Sequence, residues 1–230
     1  MIISYCVPVK NRNCDLKAVM PSLIKAANAS PPVEIMILDY NSSDDLAEYI
    51  EYVKENAVFR GGSMVSYKKY SGGKYFRIAH ARNLSVLASR GTFLVLSCAD
   101  QILGKNYFEA VRELLESGDY VWLHPHKKGG TVLGCSRNEF INAGGYDEKF
   151  IYYGKEDKDL MLRLERRGGK FKQVPLNLIV NIPTPKLDKH RHISRALSVL
   201  RAEKHTKAIY DENIANNILV ANLEGWGSWE

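Results

Sequence analysis

Residues 2–40, IISYCVPVKNRNCDLKAVMPSLIKAANASPPVEIMILDY, decide the fold class. The stretch opens on the β-branched run IISYCVPV and closes on EIMILDY at 34–40, both apolar and of strand length. Between them Leu16, Val19, Met20, Leu23, Ile24 and Ala27 keep the i, i+3, i+4, i+7 spacing that lines one helix face. Strand, helix and strand in succession build a mostly parallel sheet with helices against it.

The alternation continues outward. Asn41-Ser42-Ser43-Asp44 supplies N-cap chemistry for a helix over 45–56, and SMVSYKKY predicts a strand. A helix over 80–89 and the buried strand TFLVLSC follow. Sheets of this kind bind ligands beyond the carboxyl ends of their strands. That rule aligns residues 8–12, 39–44 and 98–101, each polar or charged directly after an apolar run. In the second half DYVWLHP and TVLGCS predict strands, and a short helix covers 138–143. A glycine-containing loop at 144–155 precedes a helix over 156–167, which Gly168 and Gly169 stop. FKQVPLNLIVNIP reads as extended, with Pro175 and Pro183 limiting strand length. The chain is expected to end in helices, one of them packed by Ile193, Ala196, Leu197 and Leu200.

The 230 residues hold 45% hydrophobic and 25% charged side chains, the balance of a globular domain rather than of a disordered or collagen-like chain. No apolar run reaches the roughly 18–20 residues of a membrane span, and the N-terminus turns polar too soon for a signal peptide. Cysteines 6, 14, 98 and 135 form no Cys-x-x-Cys pair, which fits a reducing, cytoplasmic setting. The net charge of +6 is unevenly spread. Residues 56–99 carry seven basic side chains (Arg60, Lys68, Lys69, Lys74, Arg77, Arg82 and Arg90) and no acid. Residues 186–207 carry seven basic and two acidic ones. Clustered cations raise the local concentration of anionic ligands, although solvated charge runs are common.

The chemistry concentrates in GGYDEKFIYYGKEDKDLMLRLERRGG, residues 144–169. Glu156, Asp157 and Asp159 gather at a helix start, where the helix dipole favours carboxylates. Capping accounts for one or two of them; the aromatic loop ahead of them reads as mobile and suited to covering a ligand.

With this segment the chain resembles the family 2 glycosyltransferases of GT-A fold, especially their chondroitin-polymerase-like and galactosyltransferase-like members. The resemblance rests on Gly-Gly-Tyr-Asp-Glu-x-Phe and Gly-x-Glu-Asp-x-Asp-Leu, on VPVKNR at 7–12, on LDYNSSDD at 38–45 and on AHARNLSVLASRG at 79–91. It implies one Rossmann-like α/β domain over 1–183, its mixed, mostly parallel sheet flanked by helices. Within it, 1–101 would bind nucleotide and 102–183 the acceptor, with a basic helical extension over 184–230. It implies transfer from a nucleotide sugar, a UDP-sugar first, to an acceptor hydroxyl by inverting single displacement. Asp157 would be the general base, with Glu156, Tyr146 and Gly145 at the acceptor. Pro8, Val9, Asn11, Arg12, Asp39, Asn41, Ser42, Arg77, Arg82, Asn83 and Asp100 would face the donor, Asp39 meeting uracil.

The family's metal-binding Asp-x-Asp corresponds to Cys98-Ala99-Asp100, so Asp100 alone is retained for Mn²⁺ or Mg²⁺. Asn181 stands where the family places a further histidine ligand, with His190 and His192 as substitutes. Arg77, Arg82 or Lys74 would then share the stabilisation of the departing diphosphate. Two other readings compete. A weakened nucleotide-binding descendant follows from the lost Asp, and a nucleic-acid acceptor from the basic tail. A sugar-phosphate nucleotidyltransferase needs a glycine-rich first loop, which VPVKNRN lacks.

Overall fold

Every position of β1 (Ile3–Val9) and of β2 (Val33–Tyr40) is buried, as expected of parallel strands covered on both faces. The computed structural model describes residues 1–118, 120–123, 132–183 and 199–229. Helix α1 (Asn13–Ala29) returns the chain from β1 to its parallel neighbour β2 through Leu16, Val19, Met20, Leu23 and Ala27, the apolar positions read from the sequence. Helix α2 (Leu46–Asn56) leads in the same way to β3 (Met64–Tyr70), which pairs with β2 in parallel. Helix α3 (Ile78–Ala88) then carries the chain back across the sheet to β4 (Phe93–Leu96), on the other side of β1. Strand order therefore reverses between β1 and β4, and it is outside the carboxyl ends of such a pair that sheets of this kind have their ligand crevice.

Beyond β4 the sheet becomes mixed. β6 (Tyr120–Leu123) and β7 (Val132–Ser136) run antiparallel to each other, β7 antiparallel to β4, and β8 (Phe171–Gln173) parallel to β6. The seven strands lie in the order β3-β2-β1-β4-β7-β6-β8. Successive side chains of a strand alternate between its faces. Ile3, Tyr5, Val7 and Val9 enter the core under α1, whereas Cys6 enters a second core with Ala79, Phe140, Tyr146 and Leu160. That second core is formed with α3, α5 (Arg137–Asn142) and α6 (Glu156–Arg166).

The architecture agrees with the α/β expectation, and the details depart from it in four places. FKQVPLNLIVNIP splits at Pro175 into β8 and a 3-10 turn (Leu176–Leu178), which runs on into β9 (Ile179–Asn181). β9 leaves the main sheet to pair antiparallel with β5 (Gln101–Leu103). Helix α4 (Tyr107–Glu116) stands where the strand-helix alternation predicts no element; its buried Tyr107, Phe108, Val111 and Leu115 keep the i, i+1, i+4, i+8 spacing of one helix face. At the C-terminus α7 (Val199–Ala215) packs on α6, with Ile209 and Tyr210 against the core of Leu160 and Leu164 and Asn213 bonded to Asp159, and not through Leu200, which is 70% exposed. Ile193, Ala196 and Leu197 of the expected stripe lie outside the described residues, as do His190 and His192.

Candidate functional site

The ends of β1 and β2 are strapped together by their loops. Lys10 Nζ donates to the carbonyls of Tyr40 (3.0 Å) and Asn41 (2.9 Å). Asn11 and Asn41 both take left-handed backbone (φ 52° and 56°), which asparagine tolerates better than most residues. The Asn11 amide nitrogen donates to Ser42 Oγ (3.0 Å), and its side-chain oxygen accepts from the Ser43 amide (2.7 Å). Asp39 Oδ1 accepts from the Ser42 amide, and Oδ2 from the Tyr67 hydroxyl, each at 2.7 Å. The structure thus gathers Asn11, Asp39, Asn41 and Ser42 at one sheet edge. Pro8 and Val9 lie buried in β1 behind them.

On the β4 side of the crevice Arg12 donates to Asp15 (2.7 Å) and lies 3.7 Å from Asp100. Next to it, Arg82 joins the two halves of the chain. Projecting from α3 and 2% exposed, it lies with Nη2 3.8 Å from Cys98 Sγ at the end of β4. Its Nη1 donates to Asp157 Oδ1 and sits 3.4 Å from Glu156 Oε1, both on the first turn of α6. The guanidinium also stacks over the Tyr146 ring at 5.0 Å, and the Tyr146 hydroxyl donates to Asp157 Oδ1 at 3.0 Å. Both contacts on Asp157 fall on Oδ1, so Oδ2 takes no hydrogen bond from the described residues.

Burial shapes the protonation of this cluster. Desolvation pushes the Glu156 carboxyl up to about 7; the Asp157 charge adds to the rise and Arg82 opposes it. Its Oε2 accepts from the Gly154 amide at 2.8 Å, which Lys155 makes reachable by adopting φ 71° at the helix start. Burial likewise raises the Cys98 thiol, against the pull of Arg82. An uncharged thiol next to Arg82 leaves Asp157 as its anionic partner in contact, joined by Glu156 once that carboxyl ionises above about pH 7.

Several expected site residues have other work. Tyr146 is completely buried and reaches Asp157 rather than the surface. Gly145 donates its amide to the Phe140 carbonyl, and its own carbonyl accepts from Arg163 Nη2. Asn83 faces the 144–150 loop, with its side-chain oxygen on the Tyr146 amide and its nitrogen on the Tyr146 carbonyl. The exposed Arg77 touches the Glu148 carbonyl at 3.4 Å, and the exposed Lys74 sits over Tyr75. The basic run of 56–99 therefore does not converge on one ligand. Arg82 is buried against carboxylates, Arg90 pairs with Glu34, and Lys68 lies over Trp229.

Among the described residues no group of three or more histidine, cysteine, aspartate or glutamate side chains could hold a metal ion, and Asp100 lies beside the Arg12 guanidinium. Cys98 offers a soft, protonated sulfur where a hard cation prefers oxygen.

The architecture has counterparts of known structure. Residues 1-349 of TarS from S. aureus, in complex with UDP-GlcNAc, match with a TM-score of 0.70 at 13% identity, covering 94% of this chain and 67% of that one. The chain has the GT-A fold. The mannosyltransferase PcManGT from Pyrobaculum calidifontis, in complex with GDP-Man and Mn²⁺, shares this GT-A architecture at a TM-score of 0.64 and 15% identity, over 96% of this chain and 76% of its own. The catalytic domain of Drosophila beta1,4galactosyltransferase 7, in complex with xylobiose, matches at 0.56 and 14%, over 90% and 79%. A sequence-family model described as the N-terminal domain of galactosyltransferase matches residues 121–193. The abequosyltransferase RfbV of Salmonella typhimurium is 26% identical over 175 residues, 74% of this chain, and the chain spans 50% of that protein's length. These likenesses bear out the resemblance read from the motifs. No helix among the described residues is long and apolar enough to cross a membrane.

Proposed function

We propose that this GT-A protein, a member of the family 2 type, transfers a sugar from a nucleotide-sugar donor to a hydroxyl of a glycan acceptor. The observation carrying the proposal is that Arg82 contacts both Cys98, at the end of β4, and Asp157, at the start of α6. One side chain thereby ties the strand-end crevice to the carboxylate that the motif reading makes the base. The nucleobase end of the donor fits the loops of Asn11, Asp39, Asn41 and Ser42, whose fixed hydrogen bonds make them preorganised. Arg12 lies 3.7 Å from Asp100 and suits the diphosphate, where preorganised positive charge stabilises the leaving group.

In the proposed step Asp157 Oδ2 takes the acceptor proton while the acceptor oxygen attacks the anomeric carbon. The bond to the nucleoside diphosphate breaks on the opposite face, and the configuration inverts. Arg82 and Tyr146 hold Oδ1 and so orient the other oxygen, and Glu156 supports the acceptor side of the turn. TarS binds UDP-GlcNAc and PcManGT binds GDP-Man, so a panel of UDP- and GDP-sugars, with and without Mn²⁺, tests donor and metal together. Asp157→Asn decides the mechanism. Turnover is expected to fall by roughly 10²-fold or more while UDP affinity stays within about twofold. Unchanged turnover overturns Asp157 as the base.

A further inference from the structure

The segment from Ala143 to Glu148 is not the mobile flap its glycines and aromatic residues suggest, because its peptide groups are held one after another. The Ala143 carbonyl accepts from the Ala221 amide (3.1 Å) and from Arg163 Nη1 on α6. The Gly144 and Tyr146 carbonyls both accept from Asn222 Nδ2, at 2.8 and 2.7 Å. The Glu148 amide donates to Asn222 Oδ1 at 3.0 Å, while Glu148 Oε1 accepts from the Gly227 amide at 2.9 Å. On α7, Asn213 Nδ2 donates to Asp147 Oδ2 (2.9 Å) and to Asp159 Oδ1 (2.8 Å), fastening the loop to the first turn of α6. Asn213 is 6% exposed and lies between two carboxylates that are themselves 4% and 2% exposed.

From this geometry we infer that Asn213 and Asn222, in the C-terminal segment beyond every recognised motif, are positioning residues for Asp157. They fix the loop that carries Tyr146 to the helix turn that carries Asp157, and so fix the 3.0 Å contact between them. The inference rests on Asp157 being the base. Removing either asparagine leaves the crevice of β1, β2 and β4 untouched, so the effect belongs to kcat and not to the donor. Displacement of a reacting group by an ångström costs about 10²-fold in rate.

Two variants test this in the full chain. Asn222→Ala removes the acceptor of the Glu148 amide. Asn213→Asp is isosteric and sets a third carboxylate against Asp147 and Asp159. Amide hydrogen exchange is measured along the chain, UDP affinity by calorimetry, and kcat with a UDP- or GDP-sugar that the wild type turns over. Expected are faster exchange by about tenfold or more confined to 145–148, an unchanged UDP affinity within about twofold, and kcat lower by about tenfold to a hundredfold. For Asn213→Asp the loss is recovered in part as the pH falls and the added carboxylate protonates. Exchange that is unchanged or raised uniformly, a kcat within about twofold of wild type, or an equal loss of UDP affinity overturns the positioning role. Asp157→Asn run alongside separates the failures: if it retains turnover, the base assignment falls. If the wild type turns over no sugar of the panel, exchange and UDP affinity alone decide whether the asparagines pin the loop.

Discussion

Glu156→Gln should change how stability responds to pH, and the structure gives the size and the sign. Glu156 is 2% exposed and its carboxyl stands at about 7 against an ordinary 4.5, with burial the largest cause and Asp157 the next. A folded-state value above the unfolded one means that the folded chain binds the proton more tightly. The stabilisation is present in full below pH 4.5 and is lost as the pH rises through about 7. Each pH unit between the two values is worth about 1.4 kcal/mol, so wild type loses roughly 2–3 kcal/mol between pH 5 and pH 8 through this group. Glutamine cannot ionise and keeps an oxygen for the Gly154 amide. It offers an amide donor to Arg82, which adds a pH-independent offset. Stability curves of wild type and variant, from urea or thermal melts at several pH values, should diverge in favour of the variant as the pH rises. For a chain of this length the change is roughly 5–10 °C in melting temperature. A difference between the two proteins that stays flat from pH 5 to pH 8 refutes the raised carboxyl, whatever the absolute stabilities.

Two further substitutions probe the neighbourhood. Cys98→Asp places a second carboxylate near Asp100 and 3.8 Å or so from Arg82 in the present thiol position, completing an Asp-x-Asp pair. Mn²⁺ should then raise its melting temperature more than it raises that of wild type, and equal shifts would count against the assignment of residues 98–100 as the metal locus. Gly144→Ala forces a side chain into left-handed backbone (φ 74°) and places its Cβ 2.1 Å from the Ala221 carbonyl oxygen. Backbone cannot yield as a flexible side chain does, so a loss of about 1–3 kcal/mol is expected in denaturant melts, and a neutral result would show that 218–229 does not press on this turn.

Strand-end loops were legible because they obey a local rule: a parallel α/β sheet places its ligands where its strands end, so apolar runs followed by Asn11, Asp39 and Asp100 mark the edge. The carboxylates at 156, 157 and 159 were legible for the same reason, since they sit within one helical turn. What each group touches was not. Arg82 and Asn83 are adjacent in the sequence and share a motif, yet their side chains leave α3 in different directions, one to Asp157 and the other to the Tyr146 backbone. Tyr146 and Gly145 belonged to the acceptor motif by pattern, and burial turned them inward. Asn213 and Asn222 gave no signal at all, because their partners lie between 54 and 78 residues away and an asparagine in a helix or loop looks like any solvated polar residue.

The sequence by itself determined the class of fold, the strand-helix alternation and the chain positions at which the strands end in polar loops. Those properties follow from periodicity and turn chemistry, which act over a few residues. The tertiary structure alone decided that the basic run of 56–99 would scatter, that Arg82 would be buried between Cys98 and two carboxylates, and that the C-terminal segment would fasten the loop at 143–148. Such outcomes depend on which distant groups share a low-dielectric interior. There a charge must find a partner and a peptide group must be hydrogen-bonded, and the pairing is made in space rather than along the chain.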